Sequence, residues 1–478
     1  MINVCSFVLL SLGALGSAEG PAANPNESPI NAPQPTVSPG TATITRGPQV
    51  VLPSRVDAVV VRDNEKTTAG TVRGIAGISK GDVLTDEKLS DARRRLQASG
   101  LFQRVEITPR ALPDGETEVE ISVKDKISWV IAPMFSFSSN NVGGGLLYAE
   151  NNLFGENKKF IASAQYTSAE SGVYLGFLNS NIFNWYPLSM TLEALYKLDR
   201  TDEYQPLASA KDPLLERRTK VQSYGGGIGF ILNWFDVIKT AARYRYLRVS
   251  NVYRESPLGL EPAFDPGPQR TDANLRLSIS YDTLREIGPI QDGTVVELGY
   301  ESSSTLWGSS YRYRELGATV RRAWRLFENQ NLRFKASTHF GFDTPFHAEL
   351  VAGGNNLRGY LYREFRGDTR FAASAEYHFP LFKIEPVAIR GVAFYDGAMI
   401  YFRDIPLDRT RVDYTGQVVR RYLPDAIGGP SLKNFGNGAG VGIRFYLSNI
   451  VLPLLGVDYG WGINSGTGRL YLVIGVGT

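Results

Sequence analysis

Cysteine, histidine and methionine are nearly absent from this chain of 478 residues, which contains one cysteine, three histidines and four methionines. One cysteine cannot build a disulfide framework, and so few cysteines and histidines leave almost no ligands for a metal cluster. The net charge is only +3, so the chain lacks the basic excess with which nucleic-acid-binding proteins neutralise phosphates. Beyond the extreme N-terminus there is no run of 18 or more apolar residues, which excludes helical membrane spans.

Glycine and aromatic residues are, by contrast, abundant. The chain has 49 glycines, 24 tyrosines and 24 phenylalanines, and apolar and polar residues alternate over much of its length. Such alternation is typical of β-strands, because successive side chains of a strand point to opposite faces. The composition therefore favours a β-rich chain of one or two domains.

The N-terminus has the pattern of an export signal followed by a linker. An apolar stretch, FVLLSLGALG, begins at Phe7 and precedes the small pair Ser17-Ala18, which suits signal-peptidase cleavage. We therefore expect residues 1–18 to be a signal peptide; because no Lys or Arg precedes Phe7, a short buried segment is the alternative. Residues 19–53 contain eight prolines among Ala, Asn, Ser and Thr, which predicts a disordered, Pro-rich linker.

Residues 54–126 have the pattern of a small α/β module. The Val-rich alternation of RVDAVVVRD predicts a strand, and helical spacing follows in residues 67–77 and 85–100. Two alternating segments, FQRVEITPRAL and EVEISVKDK, flank the turn Pro113-Asp114-Gly115 and predict a hairpin. The predicted order of elements is β-α-α-β-β.

From residue 127 to residue 478 the alternation continues without a helical interruption. A soluble sandwich would bury the apolar face of each strand against a second sheet, whereas a membrane barrel would expose that face to lipid. The opposite faces decide between the two, because a closed sandwich core cannot desolvate as many charges as they carry, whereas a water-filled lumen can. The charged residues predicted to face inward are Arg243, Arg245, Arg276, Asp282, Glu297, Glu301, Arg333, Lys335, Arg390, Asp396, Arg444 and Asp458.

The alternating segments number about sixteen, an even number as in bacterial single-chain barrels. Short turns alternate with longer connections, and the longest predicted connections are residues 201–216, 255–269, 344–367 and 401–435. Tyr and Trp residues near the ends of the apolar faces predict aromatic girdles. We therefore predict an all-β transmembrane barrel of about 16 antiparallel strands in residues 127–478, preceded by one small α/β domain.

Glycine-rich runs and three histidines are the candidate sites of chemistry in this sequence. The run from Gly436 to Gly442 has glycine at every second position and no following Lys-Ser/Thr, which indicates a strand and not a phosphate-binding loop. Its glycines form a smooth inner wall that either admits another segment close to the backbone or relieves curvature. His339, His347 and His378 have no Ser or Asp partner in a recognised motif, so we predict no catalytic residue, no metal site and no enzyme.

Several motifs resemble those of one family. Residues 77–107, GISKGDVLTDEKLSDARRRLQASGLFQRVEI, are similar to a POTRA (polypeptide-transport-associated) domain. Leu357, Arg358, Gly359 and Tyr360 match the (V/I/L)RG(F/Y) signature of the sixth extracellular loop in the BamA/TamA-type outer-membrane assembly and translocation superfamily, or bacterial surface antigen family. Three further segments resemble its F-x-D-x-G motif, with Ala398 as the last residue, its E-x-R-x-P motif, with His378 in place of Arg, and its first periplasmic turn; they are residues 394–398, 376–380 and 152–155.

Arg358 is the residue on which the site hypothesis rests. Its guanidinium stays charged and its planar fork suits carboxylates. Glu376 and Asp396 fall on the inward faces of the twelfth and thirteenth strands, so a loop folded into the lumen would pair with both; a solvated arginine on an exposed loop is the alternative. The resemblance implies that this contact pins the loop inside the barrel. The residues of this predicted loop-six lock are Leu357, Arg358, Gly359, Tyr360, Glu376, Phe394 and Asp396.

The family resemblance implies a protein of the bacterial outer membrane whose single POTRA domain captures client polypeptides in the periplasm and whose barrel inserts or translocates them. The implied partners are outer-membrane or secreted polypeptides, the lipid bilayer and periplasmic accessory proteins, without nucleic acid and without a cofactor. The chain departs from the family by ending on Thr478, where an aromatic residue is usual. A passive channel or structural barrel with a vestigial POTRA is the alternative, and a membrane anchor for a partner bound at the linker is a third possibility.

Overall fold

The computed structural model describes thirteen stretches of the chain, which divide into two compact units. The predicted signal peptide, nearly all of the Pro-rich linker and the Pro-Asp-Gly turn lie outside them. None of the helices in these stretches is long and apolar enough to cross a membrane. The described residues are 51–112, 117–180, 182, 187–204, 208–235, 237–255, 269–287, 289–384, 387–403, 410–412, 418–420, 430–447 and 453–473.

The N-terminal unit is a four-stranded sheet with two helices. Its strand order is β2-β1-β4-β3, with β1 parallel to β4 and the other pairs antiparallel. The predicted order lacked β2, because a strand of two residues shows no alternation. The elements are β1 Ser54–Arg62, α1 Ala69–Ala76, β2 Val83–Leu84, α2 Asp86–Ala98, β3 Phe102–Ala111 and β4 Thr117–Asp125.

Both helices begin where a threonine side chain caps them. The hydroxyls of Thr68 and Thr85 accept the N–H groups of Thr71 and Lys88, each at 3.2 Å, which satisfies donors that the first turn leaves free. After α2, Gly100 has a φ of 70°, a left-handed conformation that glycine adopts without strain. The helices pack one face onto the sheet, and the buried core includes Val72, Ile75, Leu84, Leu96, Phe102, Val119, Ile121 and Val123.

The second unit is a closed antiparallel barrel of sixteen long strands, as predicted. Each strand pairs with its neighbours along the chain, and the last strand, β25, pairs with the first, β5. The strands are β5 Trp129–Ser138, β6 Asn141–Leu153, β7 Lys158–Thr167, β8 Glu170–Asn179, β9 Leu188–Tyr204, β10 Leu215–Trp234, β11 Ile238–Glu255, β12 Arg270–Asp282, β14 Ile290–Ser303, β15 Tyr313–Leu326, β16 Gln330–Phe342, β19 Thr369–Ile384, β20 Val387–Tyr401, β23 Phe435–Leu447, β24 Pro453–Gly462 and β25 Thr467–Val473.

Short strands complete the sheet assignments. The three-residue β13 lies beside β14, and β17 pairs with β18, as β21 does with β22. These short strands are β13 Arg285–Ile287, β17 Leu350–Ala352, β18 Phe365–Gly367, β21 Thr410–Val412 and β22 Val418–Arg420.

The barrel strands expose their apolar faces outward. On β8, Val173 and Leu175 are exposed, whereas the alternate residues Glu170, Gly172 and Tyr174 are buried. This alternation places apolar side chains toward lipid and polar side chains toward the lumen, as a transmembrane barrel requires. The two-residue period recognised in the sequence is therefore the period of the barrel wall.

The strands β9 and β10 extend beyond their predicted ends into the connection predicted at 201–216. Leu215 pairs with Tyr204, so the two strands continue well past the apolar stretch. Arg217 is buried and donates to Glu203 from Nε at 2.6 Å and from Nη2 at 2.7 Å. The sequence prediction ended these strands too early because an ion pair, and not an apolar face, holds this part of the ladder.

Candidate functional site

Loop six, residues 343–368, connects β16 to β19. Within it, β17 and β18 form a small antiparallel ribbon, with Leu350 opposite Gly367. Arg366 braces the ribbon by donating to Glu349 Oε2 and to the Phe346 carbonyl oxygen, both at 2.9 Å. The ribbon presents residues 353–364, which carry the signature predicted from the sequence, as a folded tip.

Arg358 at this tip contacts three carboxylates from three barrel strands. Its Nε and Nη2 donate to the two oxygens of Asp396 at 2.7 and 2.8 Å, its Nη2 lies 2.8 Å from Glu376 Oε1, and its Nη1 donates to Asp458 at 2.9 Å. The guanidinium also lies over the ring of Phe394, 3.4 Å from the centroid. Arg358 is 4% exposed, so these are buried, charge-assisted interactions, which are about twice as strong as neutral ones.

Burial and charge act in opposite directions on Arg358. Burial alone lowers the pKa of its guanidinium, because it disfavours the charged form. The hydrogen bond to Asp396 and the charges of Glu376, Asp396 and Asp458 outweigh this effect and raise the pKa above its usual value. The guanidinium therefore remains charged, and removing it would leave its carboxylate partners buried without their counter-ion.

Glycines in β23 and β24 let the loop tip approach the barrel wall. A Cβ on Gly460 would lie 2.7 Å from Arg358 Cβ, and one on Gly436 would lie 2.8 Å from Leu357 Cδ2. A Cβ on Gly438 would overlap the Arg358 carbonyl oxygen. The glycines of β23 therefore admit another segment close to the backbone, one of the two roles predicted for this run, and that segment is loop six.

The residues next to Arg358 bond the last strands of the barrel. The hydroxyl of Tyr471, on β25, accepts the Gly359 N–H at 2.8 Å and donates to the Tyr360 carbonyl oxygen at 2.8 Å. The Tyr360 hydroxyl donates to the carbonyl oxygen of Asn437 at 3.2 Å, and Leu357 is fully buried. The whole signature is thus seated against the wall formed by β23, β24 and β25.

A second group of contacts connects the same loop tip to strands near the start of the barrel. The N–H of Tyr362 donates to Asn140 Oδ1 at 2.7 Å, and Asn140 Nδ2 donates to the Tyr362 carbonyl oxygen at 3.1 Å. Arg363 donates to Glu170 Oε2 at 2.9 Å and lies 3.4 Å from Asp199 Oδ1. Asn140 lies in the turn after β5, Glu170 begins β8, and Asp199 is on β9.

The first and last strands of the barrel pair with each other. Within the described residues, β25 and β5 are in register only at Leu472 with Phe137 and at Val473 with Ser136. Residues 474–478, which include the predicted departure from an aromatic C-terminus, lie outside the described part. We call the junction between β25 and β5 the seam.

The structure brings all seven residues of the predicted lock into one cluster. Asp458 and Tyr471 belong to the same cluster but were not assigned to it from the sequence. Asp458 also pairs with Arg444, whose Nη2 donates to Asp458 Oδ2 at 2.9 Å. Inward parity identified Asp458 as a lumen residue, but only the register of β24 against the loop shows that it reaches Arg358.

Two other segments that resemble family motifs, residues 376–380 and 152–155, are stabilised by local side-chain contacts. His378, which stands where arginine is usual, is buried, and its Nε2 lies 2.9 Å from Glu376 Oε2. In the turn after β6, Phe154 and Gly155 have positive φ angles of 60° and 71°, and Asn152 Oδ1 accepts the Asn157 N–H at 2.9 Å. This side-chain acceptor stabilises a tight connection between β6 and β7.

Each of the three histidines, all of them in the described part of the chain, lies next to a carboxylate. Ser303 donates to Asp272 at 2.8 Å, whereas a Ser–His relay requires the hydroxyl to donate to the imidazole. Within the described ranges, no group of three or more His, Cys, Asp or Glu side chains is placed to hold a metal ion. The pairs are His339 with Glu315, His347 with Asp272 and His378 with Glu376.

Comparison with family models gives two matches. Residues 152–476 match the model of the Omp85 superfamily domain, and residues 54–126 match that of the surface antigen variable number repeat, a POTRA model. One relative is the outer membrane protein assembly factor BamA of Neorickettsia risticii (strain Illinois), which is 26% identical over 132 residues. That alignment covers 27% of this chain and 18% of the relative, so the chain matches less than a fifth of that protein.

Two solved structures have a similar fold. The BamA of Haemophilus ducreyi lacking POTRA domains 1–3 superposes with a TM-score of 0.64 at 16% identity, covering 88% of this chain and 84% of that one. CdiB from Acinetobacter baumannii superposes with a TM-score of 0.58 at 12% identity, covering 88% of this chain and 74% of that one. At these identities the likeness concerns the fold, which both structures share with the chain.

Proposed function

This chain belongs to the Omp85 superfamily, and we propose that it is an assembly or translocation factor that inserts client polypeptides into, or moves them across, the bacterial outer membrane. The observation that carries the proposal is the buried fastening of loop six, in which Arg358 contacts Asp396, Glu376 and Asp458 on the inner face of the barrel. If the seam opens, the separated edges of β5 and β25 present backbone donors and acceptors that an incoming strand can pair with. The proposed function is therefore strand exchange and transport, without catalysis and without a cofactor.

The position of loop six favours a regulated transport path and argues against a passive pore. The tip of the loop lies in the lumen, where Arg358 joins carboxylates from β19, β20 and β24. A permanently open channel gains nothing from a buried ionic cluster on its wall, because buried charges are costly unless fully paired. A structure that changes state can use such a cluster as a reversible fastening.

The N-terminal unit is proposed to lie in the periplasm and to capture clients there. Its sheet order places β3, Phe102–Ala111, at an edge. An exposed edge can accept an extended segment by strand addition, with main-chain hydrogen bonds supplying affinity without requiring one sequence. The proposed partners are thus unfolded outer-membrane or secreted polypeptides, the bilayer itself, and periplasmic accessory proteins.

The experiment that tests this proposal locks the seam covalently. Leu472 and Phe137 are register partners across the seam, so cysteines at these positions lie within disulfide reach. The purified chain, with Cys5→Ser, is reconstituted in liposomes and given an eight-stranded barrel protein unfolded in urea. We expect the disulfide to abolish accelerated folding of that client while ion conductance of the liposomes persists, and reduction to restore folding.

A matched control uses an interior strand pair. Leu277 on β12 and Tyr300 on β14 are also register partners, and both are exposed on the outer face. A disulfide between them adds the same crosslink without touching the seam, so client folding should be unaffected. Undiminished folding with a fully locked seam would overturn the proposed route, and a chain that never accelerates client folding would favour a passive channel or structural barrel.

A further inference from the structure

Loop six bonds both sides of the seam through residues that are almost adjacent in sequence. Tyr360 and its neighbour Gly359 bond Tyr471 of the last strand, and Tyr362 bonds Asn140 in the turn that follows the first strand. Each connection consists of two hydrogen bonds. The loop therefore connects the C-terminal and N-terminal edges of the barrel independently of the strand ladder between them.

The chain segment that joins the two attachments is very short. Residues 360 and 362 are two positions apart, and two extended residues span at most about 7 Å. If β25 and β5 moved apart by more than this short segment allows, the bonds to Tyr471 or the bonds to Asn140 would have to break. Opening of the seam is thus mechanically coupled to release of the loop from one side.

The two sides are held with different strength. On the C-terminal side Arg358 bonds three carboxylates, and the glycines of β23 and β24 admit the backbone of the tip. On the N-terminal side Arg363 is the one charged anchor in the described loop, with Glu170 and Asp199 as its partners. The N-terminal attachment has fewer charge-assisted bonds, so it is the attachment that should release first.

We propose that loop six is a strap across the seam, and that Arg363 is the positioning residue that holds the strap to the N-terminal strands. The proposal rests on the assembly function proposed above, and it specifies how that function is gated. When the seam opens, loop six stays with β23, β24 and β25, and the contacts of Arg363 and Tyr362 with the N-terminal strands break. Loss of Arg363 therefore favours the open seam.

The backbone of Arg363 determines which substitution tests this. Arg363 has a φ of 55°, in the left-handed region that most residues avoid. Asparagine tolerates that region, so Arg363→Asn removes the guanidinium without adding backbone strain. The matched control is Arg276→Gln, which breaks the arginine–carboxylate pair between Arg276 and Glu297 on the eighth and ninth barrel strands, β12 and β14.

The opening of the seam is measured as the distance between two spin labels. The labels are attached to Phe137→Cys and Leu472→Cys in the full chain, which also carries Cys5→Ser. The protein is held in lipid nanodiscs, and the distance is measured by pulsed electron paramagnetic resonance. We expect Arg363→Asn to increase the population with separated labels about tenfold, the effect of losing one charge-assisted attachment. The Arg276→Gln control should match the parent chain, and an unchanged distribution in Arg363→Asn would overturn the strap.

Two further measurements separate positioning from general destabilisation. If Arg363 acts through its carboxylates, Glu170→Gln should add little to seam opening in the Arg363→Asn background, and full additivity would contradict the assignment. If Arg363→Asn does not fold, as judged by loss of heat-modifiable migration, Asn140→Ala is measured in the same way, with the same expected increase. These label distances are measured without a client, so they test the strap proposal independently of whether the chain inserts clients.

Discussion

The lumen wall formed by β19, β20, β23 and β24 differs sharply from the seam between β25 and β5. In the wall, β20 and β23 are in register from Val387 to Met399, and the inner face carries the buried ionic cluster around Arg358. At the seam, β25 pairs with β5, and backbone groups of loop six add bonds to the side chains of Tyr471 and Asn140, one on each side of the junction. The barrel is thus closed partly by backbone pairing and partly by a loop.

This difference indicates where the barrel can change without unfolding. In the wall, neighbouring strands are joined directly by their backbone ladders, whereas at the seam the bonds of loop six to Tyr471 and Asn140 can break together with the strand pairing as a local unit. The buried ions make that unit two-state, because a half-broken arrangement would leave charges unpaired. Four predictions test the comparison between the stable wall and the openable seam.

The largest effect is expected for Arg358→Ala. The change leaves the buried carboxylates of Asp396, Asp458 and Glu376 without their shared guanidinium, at a cost of about 3–5 kcal/mol. We expect the heat-modifiable form to unfold at lower temperature and client folding to fall, while far-ultraviolet circular dichroism shows the parent strand content. Unchanged activity and melting would show that the cluster does not hold the loop.

A smaller effect is expected for Gly438→Ala, which alters only the wall. Its Cβ would overlap the Arg358 carbonyl oxygen, so the tip must move outward, at a cost of about 1–3 kcal/mol. Proteolysis of the folded protein should then cut loop six faster. Gly397→Ala is the matched control, because a Cβ there makes an ordinary contact of 3.4 Å with Phe435, and equal cleavage of the two variants would reject the close-approach role.

Tyr471→Phe isolates the contribution of the last strand. It removes one hydroxyl that accepts from Gly359 and donates to Tyr360, a loss of about 1–2 kcal/mol for two buried hydrogen bonds. We expect faster amide exchange in β25 and little change in β19 or β20. Exchange that accelerates equally in all three strands would mean that the seam and the wall are one cooperative unit.

The smallest effect is a pH dependence of loop six. Burial raises the pKa of Glu364 to about 7, against the lowering influence of the Leu361 N–H bond and the charge of Arg469. Because the folded pKa lies above the unfolded one, its stabilising contribution is complete at acidic pH and is lost as pH rises through 7. Between pH 6 and pH 7 the free energy of unfolding should fall by about 1 kcal/mol, and Glu364→Gln should flatten that dependence. An identical pH profile for the two proteins would contradict this role of Glu364.

The strands of the barrel wall could be predicted from the sequence, but only some of the residues of the loop-six site could. The two-residue period predicted the sixteen strands and the inward direction of Glu376, Asp396 and Asp458, because strand parity is a local property. The length of β9 and β10 was underestimated, since their ends are joined by the ion pair between Arg217 and Glu203 and carry no apolar face. Parity therefore predicts the barrel better than it predicts the ends of its strands.

The contacts of loop six illustrate what a single sequence does not encode locally. Tyr471 lies more than a hundred positions from Gly359, and Asn140 lies still further from Tyr362; the separations are 112 and 222 residues. Which inner-face residue meets the loop depends on the stagger of all the strands around the barrel. Arg363 had no motif to mark it, and its function as an anchor follows only from geometry.

The most direct test of the account measures amide exchange across the loop tip in lipid nanodiscs. The N–H groups of Arg358, Gly359, Leu361 and Tyr362 donate to side chains of Asp396, Tyr471, Glu364 and Asn140. We predict that these four amides exchange about a hundredfold more slowly than unstructured peptide, and that Arg358→Ala removes the protection of the first two most strongly. Free exchange of all four in the parent chain would contradict a loop held inside the barrel.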